Sequence, residues 1–231
     1  MRIPAALSVA ILVVGCAGRL PGPTIPDGHL PMTAGEVAPW IAATERDATT
    51  QTRFSWRFLD EKGTASGRGA AQIAPPDSLR FDFRGPLGSG SGAAAVIGDT
   101  AIWAEPEDQV ERLVPNYPLL WAILGQARYP HQGDLVSGMS NERLQAWRYV
   151  NGIDTVDYVL TRIGTRQLVA DVRQGRNRIG RVFTTFDAAG RLIKSRLDIP
   201  GSRARLDITF DEPTLLDSIP RERWVAPDDA Q

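Results

Sequence analysis

Histidine and cysteine carry much of the catalysis and metal binding in proteins, and this 231-residue chain has two of the first and one of the second. His29 lies among prolines and glycines, and His131 in a polar stretch. Neither has a histidine or cysteine partner at metal-ligand spacing. No Gly-x-Ser-x-Gly elbow, phosphate-binding glycine loop or dinucleotide fingerprint occurs. The acidic residues fall at turns and on polar strand faces, where a solvated surface is the ordinary outcome. Glu105 and Glu107 have the spacing of a helix start rather than of an acid/base pair. Arg173, Arg176, Arg178 and Arg181 cluster around one hairpin and read as solvated surface, with lipid headgroups as the alternative. The expectation is a protein with no catalytic residue, no metal and no cofactor: not an enzyme.

Composition narrows the class further. The chain is 42% hydrophobic, enough for one sizeable core. Its net charge of −1 advertises neither nucleic acid nor an acidic membrane surface as a partner. Mean hydropathy is −0.20, ordinary for a globular domain.

The N-terminus is the exception. Arg2 precedes an apolar run over 5–14, too short to span a bilayer and of the length of a signal-peptide core. The run ends in Leu12-Val13-Val14-Gly15-Cys16. This resembles the lipobox of bacterial lipoproteins, and Cys16 is the sole cysteine of the chain. The resemblance implies cleavage before Cys16 and acylation of that residue, with palmitate among the chains attached. Residues 1–15 are then the signal peptide. Ala17 stands where an aspartate would retain the protein in the inner membrane, so the resemblance implies the outer membrane. Pro21, Pro23, Pro26 and Pro31 make 16–32 an extended tether.

The remainder, 33–231, reads as a single domain, mainly β with some helix. Thr33-Ala34-Gly35-Glu36 has capping-box spacing and predicts a helix over 34–47, with Val37, Trp40 and Ile41 on one stripe. Strand signals follow in series. Phe54, Trp56 and Phe58 alternate with Arg53, Ser55 and Arg57; Leu79, Phe81 and Phe83 alternate with Arg80, Asp82 and Arg84. A small, glycine-rich run over 65–73 lies between them. Further strands are predicted over 93–97, 101–103, 144–149, 153–162, 167–173, 179–186, 192–199 and 204–210. Asn151-Gly152 is the strongest hairpin signal among their turns. The tail, with Leu215, Leu216, Ile219 and Trp224, is expected to pack back on the domain.

Two stretches interrupt the strands. Gly85-Pro86-Leu87-Gly88 opens a glycine-serine loop holding one large apolar side chain, Leu87. Ordering such a loop costs entropy, so Leu87 is expected to be exposed. Within 105–126, Asn116-Tyr117-Pro118 reads as a helix start. Leu119–Leu124 after it is apolar on every side, so it must be covered or must itself cover something apolar. About ten antiparallel strands would curl into one sheet whose concave face needs a cover, and this insertion supplies one.

A lipidated, tethered, curled sheet with an apolar lid resembles the LolA/LolB family of bacterial lipoprotein carriers and receptors. The strand over 79–84 running into Gly85-Pro86-Leu87-Gly88 is similar to a Pro-Leu-Gly segment of the LolB branch, the outer-membrane receptor. Trp121-Ala122-Ile123-Leu124-Gly125 looks like its Trp-Ile-Leu-Gly helix end with one residue added. The resemblance implies an incomplete β-barrel with an N-terminal helix and a short helical lid over the concave face. It implies a loop, Leu87 with Pro86, Gly85 and Gly88, that enters the membrane. It also implies a cavity for acyl chains, with Phe54, Trp56, Phe58, Leu79, Phe81 and Phe83 on the sheet and Trp121 and Leu124 from the lid. Its partners would be the acyl chains of lipoproteins or other lipids, the membrane and a periplasmic carrier protein. The alternative is a structural or assembly lipoprotein with a solid core that binds a protein partner.

Overall fold

The computed structural model describes residues 23–85, 91–98, 100–105, 116–128 and 134–224. Cys16, Pro86, Leu87, Gly88, Glu107 and His131 lie outside them, so the expected lipidation site and the expected membrane loop have no structural account. The architecture is one antiparallel sheet with two α-helices among the described residues.

The chain enters through β1 (Leu30–Met32) and α1 (Ala34–Ala42). Five strands follow in a meander: β2 (Thr50–Asp60), β3 (Gly63–Ala74), β4 (Ser78–Arg84), β5 (Ser91–Ile97) and β6 (Thr100–Glu105). After α2 (Tyr117–Ile123) comes a second meander: β7 (Leu135–Ser140), β8 (Leu144–Asn151), β9 (Asp154–Thr161), β10 (Gln167–Gln174), β11 (Asn177–Phe186), β12 (Leu192–Ile199) and β13 (Ala204–Phe210). The spatial order is β1-β7-β8-β9-β10-β11-β12-β13-β2-β3-β4-β5-β6, and β14 (Thr214–Leu215) pairs with β2. β13 and β2 join the two meanders, and Phe210 lies opposite Phe54. The outer strands of the order, β1 and β6, do not pair, so the sheet curls without closing. The expected incomplete barrel with an N-terminal helix and a helical cover is the observed fold.

Strand alternation sets the two faces. Phe54, Trp56 and Phe58 of β2 point inward and are buried, while Arg53, Ser55 and Arg57 point out. Phe54 stacks on Phe81 at 4.9 Å between centroids, and Trp56 meets Phe83 edge-on at 6.1 Å. The weak strand between them is weak for a reason. A Cβ on Gly69 would strike the Phe54 ring, and one on Gly67 would strike the Arg84 carbonyl and the Trp56 ring. β3 gives up side chains so that the rings on its neighbours can meet across it.

Several expectations are corrected. Residues 30–32, assigned to a free tether, form an edge strand against β7, with Leu30 opposite Gly138. Pro31 lacks the amide proton a central strand would need, and an edge tolerates that. Before it, Ile25 packs on a small apolar cluster of Ala146, Val159 and Val169 on the outer face of the sheet. α1 ends at Ala42 instead of running to 47, because Thr44 turns back and its Oγ1 donates to the Ile41 carbonyl at 2.8 Å. Glu105 ends β6, and the helix expected after it falls on 106–115, outside the described residues. The tail does return: Leu216 N–H donates to the Thr49 carbonyl, and Arg223 lies 3.4 Å from Asp82.

Candidate functional site

α2 is too short and too apolar to stand alone. Leu119, Trp121, Ala122 and Ile123 are fully buried, and the helix lies on the inner face of β10, β11 and β12. Its last carbonyls have no partner within the helix, the usual cost of a helix end. The sheet supplies partners. Thr184 Oγ1 donates to the Ala122 carbonyl at 2.6 Å, and Ser195 Oγ donates to the Ile123 carbonyl at 2.6 Å. The two hydroxyls are 2.9 Å apart, and both residues are buried. Trp121 Nε1 donates to the Gly98 carbonyl at 2.6 Å, tying α2 to the turn between β5 and β6. Gly125, at φ +81°, reverses the chain where a side chain would strike Phe186. Ala127 N–H then donates to Thr44 Oγ1, fastening the exit beside α1. The cover is therefore a fixed plug, held by hydrogen bonds from two walls.

Beside the plug lies a cavity of about 290 Å³. Its aromatic walls are Tyr117 and Trp121 from α2, Tyr149 from β8 and Tyr158 from β9. Trp147 stacks on Tyr158 at 5.3 Å, and Tyr149 meets Tyr158 edge-on at 6.2 Å, so the strand side of the wall is braced. Arg128 reaches the cavity with its guanidinium over the Trp121 ring, 3.1 Å from the ring centroid. Asp77 and Asp134 complete the polar part of the lining. Burial raises the Tyr158 phenol well above its usual range, so it stays neutral. Burial also holds the Arg128 guanidinium down, to about 10, against the pull of Tyr158, Asp77 and Glu45.

Of the eight side chains expected around an acyl cavity, Trp121 lines this one. Phe54, Trp56, Phe58, Leu79, Phe81, Phe83 and Leu124 are buried in the same continuous core. Gly85, from the expected membrane loop, follows β4 and is half-buried. Tyr117, Tyr149, Tyr158 and Arg128 were not singled out in the sequence. The two tyrosines of the hairpin were within reach: the turn at Asn151-Gly152 puts Tyr149 opposite Val156 and Trp147 opposite Tyr158, all on the inner face. The basic hairpin is also resolved. Arg173, Arg178 and Arg181 all bond the buried Asp171, at 2.8, 2.9 and 2.7 Å.

Fold and site together define an open, curled antiparallel barrel plugged by a helix, with an aromatic cavity beside the plug. Solved structures similar to this chain share little sequence with it. A LolA superfamily protein from Nitrosomonas europaea is 10% identical, with 84% of this chain and 98% of that chain covered at a TM-score of 0.39. A DUF1329 family protein from Desulfovibrio piger is 8% identical, with 86% and 98% covered at 0.47. A putative outer membrane lipoprotein-sorting protein domain from Vibrio parahaemolyticus is 9% identical, with 83% and 97% covered at 0.38. No protein-family model matches the chain, and no curated protein matches it.

Proposed function

We propose that this chain is an outer-membrane lipoprotein, anchored through Cys16 and facing the periplasm, that binds acyl chains and helps receive or insert lipoproteins into that membrane. The observation that carries the reading is the aromatic cavity of about 290 Å³ beside α2. Ligand pockets are typically of this size or larger and largely apolar. Each methylene moved from water into such a space contributes about 0.8 kcal/mol. A stretch of six would contribute about 5 kcal/mol, enough to hold a chain and little enough to give it up to a bilayer. Transfer by this route needs no cofactor and no catalytic group. The lipobox ending at Cys16 supports the anchor, and the resemblance to the LolB branch supports the direction of transfer.

The test is titration of the protein with cis-parinaric acid, which fluoresces in apolar surroundings. The expected result is saturable binding at one site, displaced by palmitate. Val156 lines the cavity from a half-exposed strand position. Val156→Trp should fill the space and abolish binding without lowering Tm. Absence of saturable binding, or equal binding by the variant, would refute the carrier reading. Either result would favour the structural alternative, which the densely stacked rings of Phe54, Phe81, Trp56 and Phe83 support.

A further inference from the structure

The cavity is not lined for a hydrocarbon chain alone. Arg128 brings a positive charge to it, and Asp77 and Asp134 bring two negative ones. The Arg128 Nε and Nη2 atoms are buried and have no hydrogen-bond partner among the described residues. Burying those two nitrogens is costly, since they have lost water and found no acceptor while the guanidinium lies on the face of an indole. Asp77 influences Arg128 electrostatically, yet the two form no ion pair. Asp77 and Arg128 thus stand apart on the lining of one cavity.

Each simple class of ligand fits this lining badly. An uncharged chain leaves the guanidinium unsatisfied. A lone anion meets one cation and two carboxylates. A lone cation meets the guanidinium. A ligand carrying both charges a few bonds apart fits, with its anion on Arg128 and its ammonium toward Asp77 against the tyrosine rings. Aromatic walls favour an ammonium group, and a guanidinium fork favours a phosphate. We propose that the cavity recognises a zwitterionic phospholipid headgroup, a phosphodiester joined to an ammonium, with Arg128 as the phosphate contact and Asp77 as the ammonium contact. The proposal rests on the acyl-chain reading above and adds the head to the chain.

The experiment is calorimetric titration of the full-length protein in dodecyl maltoside. The probes are glycerophosphoethanolamine, which carries both charges, and glycerophosphoglycerol, which carries only the phosphate. The zwitterion should bind at least tenfold tighter. Arg128→Gln should weaken both probes about tenfold. Asp77→Asn should weaken glycerophosphoethanolamine about tenfold and leave glycerophosphoglycerol unchanged, so the preference disappears. Thermal melts establish that each variant is folded, and the wild-type preference tests the idea if one is not. No binding of glycerophosphoethanolamine, equal binding of the two probes, or an unchanged preference in Asp77→Asn would overturn the proposal. cis-Parinaric acid titrated in parallel separates the two readings. If it binds while glycerophosphoethanolamine does not, the acyl-chain reading stands and the headgroup reading falls.

Discussion

Replacing Thr184 by valine tests whether α2 is a plug or a lid. The substitution keeps the branched shape of a fully buried side chain and removes one hydroxyl. That hydroxyl donates to the Ala122 carbonyl and meets Ser195 Oγ. Without it, the carbonyl keeps only the Gly125 N–H, at 3.0 Å, and loses one of its two donors. A lost hydrogen bond whose acceptor keeps another donor costs about 0.5–1.5 kcal/mol, so about 1 kcal/mol is expected here. For a domain of this size, 1 kcal/mol shifts Tm by roughly 2–4 °C, which is the drop expected. Ser195→Ala should cost more, about 2 kcal/mol, because among the described residues the Ile123 carbonyl has no other donor. The double variant should depart from additivity, because the hydroxyls touch each other. Circular dichroism melts of the four proteins measure all of this. Hydrogen exchange over 117–124 should quicken in the single variants. A Thr184→Val protein that melts within 1 °C of wild type would refute the reasoning, because a helix that opens freely would not depend on that bond.

Asp171→Asn leaves Arg173, Arg178 and Arg181 around a neutral amide. About 3 kcal/mol of destabilisation is expected, the low end for breaking a buried ion pair since the arginines reach solvent, and chemical denaturation measures it. His29 is held below its usual range by burial and then by Arg148, with Asp157 and Asp27 opposing. The unfolded chain therefore binds the proton more readily. The stability contributed by neutral His29 is present above pH about 6.5 and is lost as pH falls toward the depressed value. Tm should drop between pH 7.5 and 5.5, and His29→Gln should lessen that drop. A variant with the same pH profile would remove His29 from the account. Leu87→Glu should leave Tm nearly unchanged while impairing delivery of lipoproteins to the membrane; a large fall in Tm would show a core residue instead.

How legible the fold was depends on where its information lay. Strands with one apolar face, such as Ala204–Phe210, declare themselves by alternation. The hairpin at Asn151-Gly152 declares itself by turn chemistry. Strands whose side chains were sacrificed to packing do not. In β7, Gly138 stands where a Cβ would strike Met32 and Trp40, so the strand reads as loop in sequence although its backbone is fully paired. β1 reads as tether because of Pro31, and only its partner makes it a strand. The apolar helix at 117–123 was evident, but its hold on the sheet was not. Thr184 and Ser195 are unremarkable until curvature brings two strands under one helix end. The cavity was hidden for the same reason, since Arg128 and Tyr158 meet across thirty residues of chain.

The N-terminal segment laid along the outer face has a mechanical consequence. With Ile25 seated on the sheet and 30–32 paired to β7, the body of the protein begins earlier than composition suggests. If Cys16 is the foot in the membrane, the leash is residues 17–24. Eight residues pulled straight reach at most about 29 Å. Such a molecule cannot roam the space above the bilayer to collect cargo. Under the proposed anchoring it would stand within about its own width of the lipid, and a cargo-bearing partner would have to come to it. The strapped face would also fix where such a leash attaches, at Ile25 over β8, β9 and β10. The aromatic cavity, walled in part by β8 and β9, then swings on a short radius close to its own anchor.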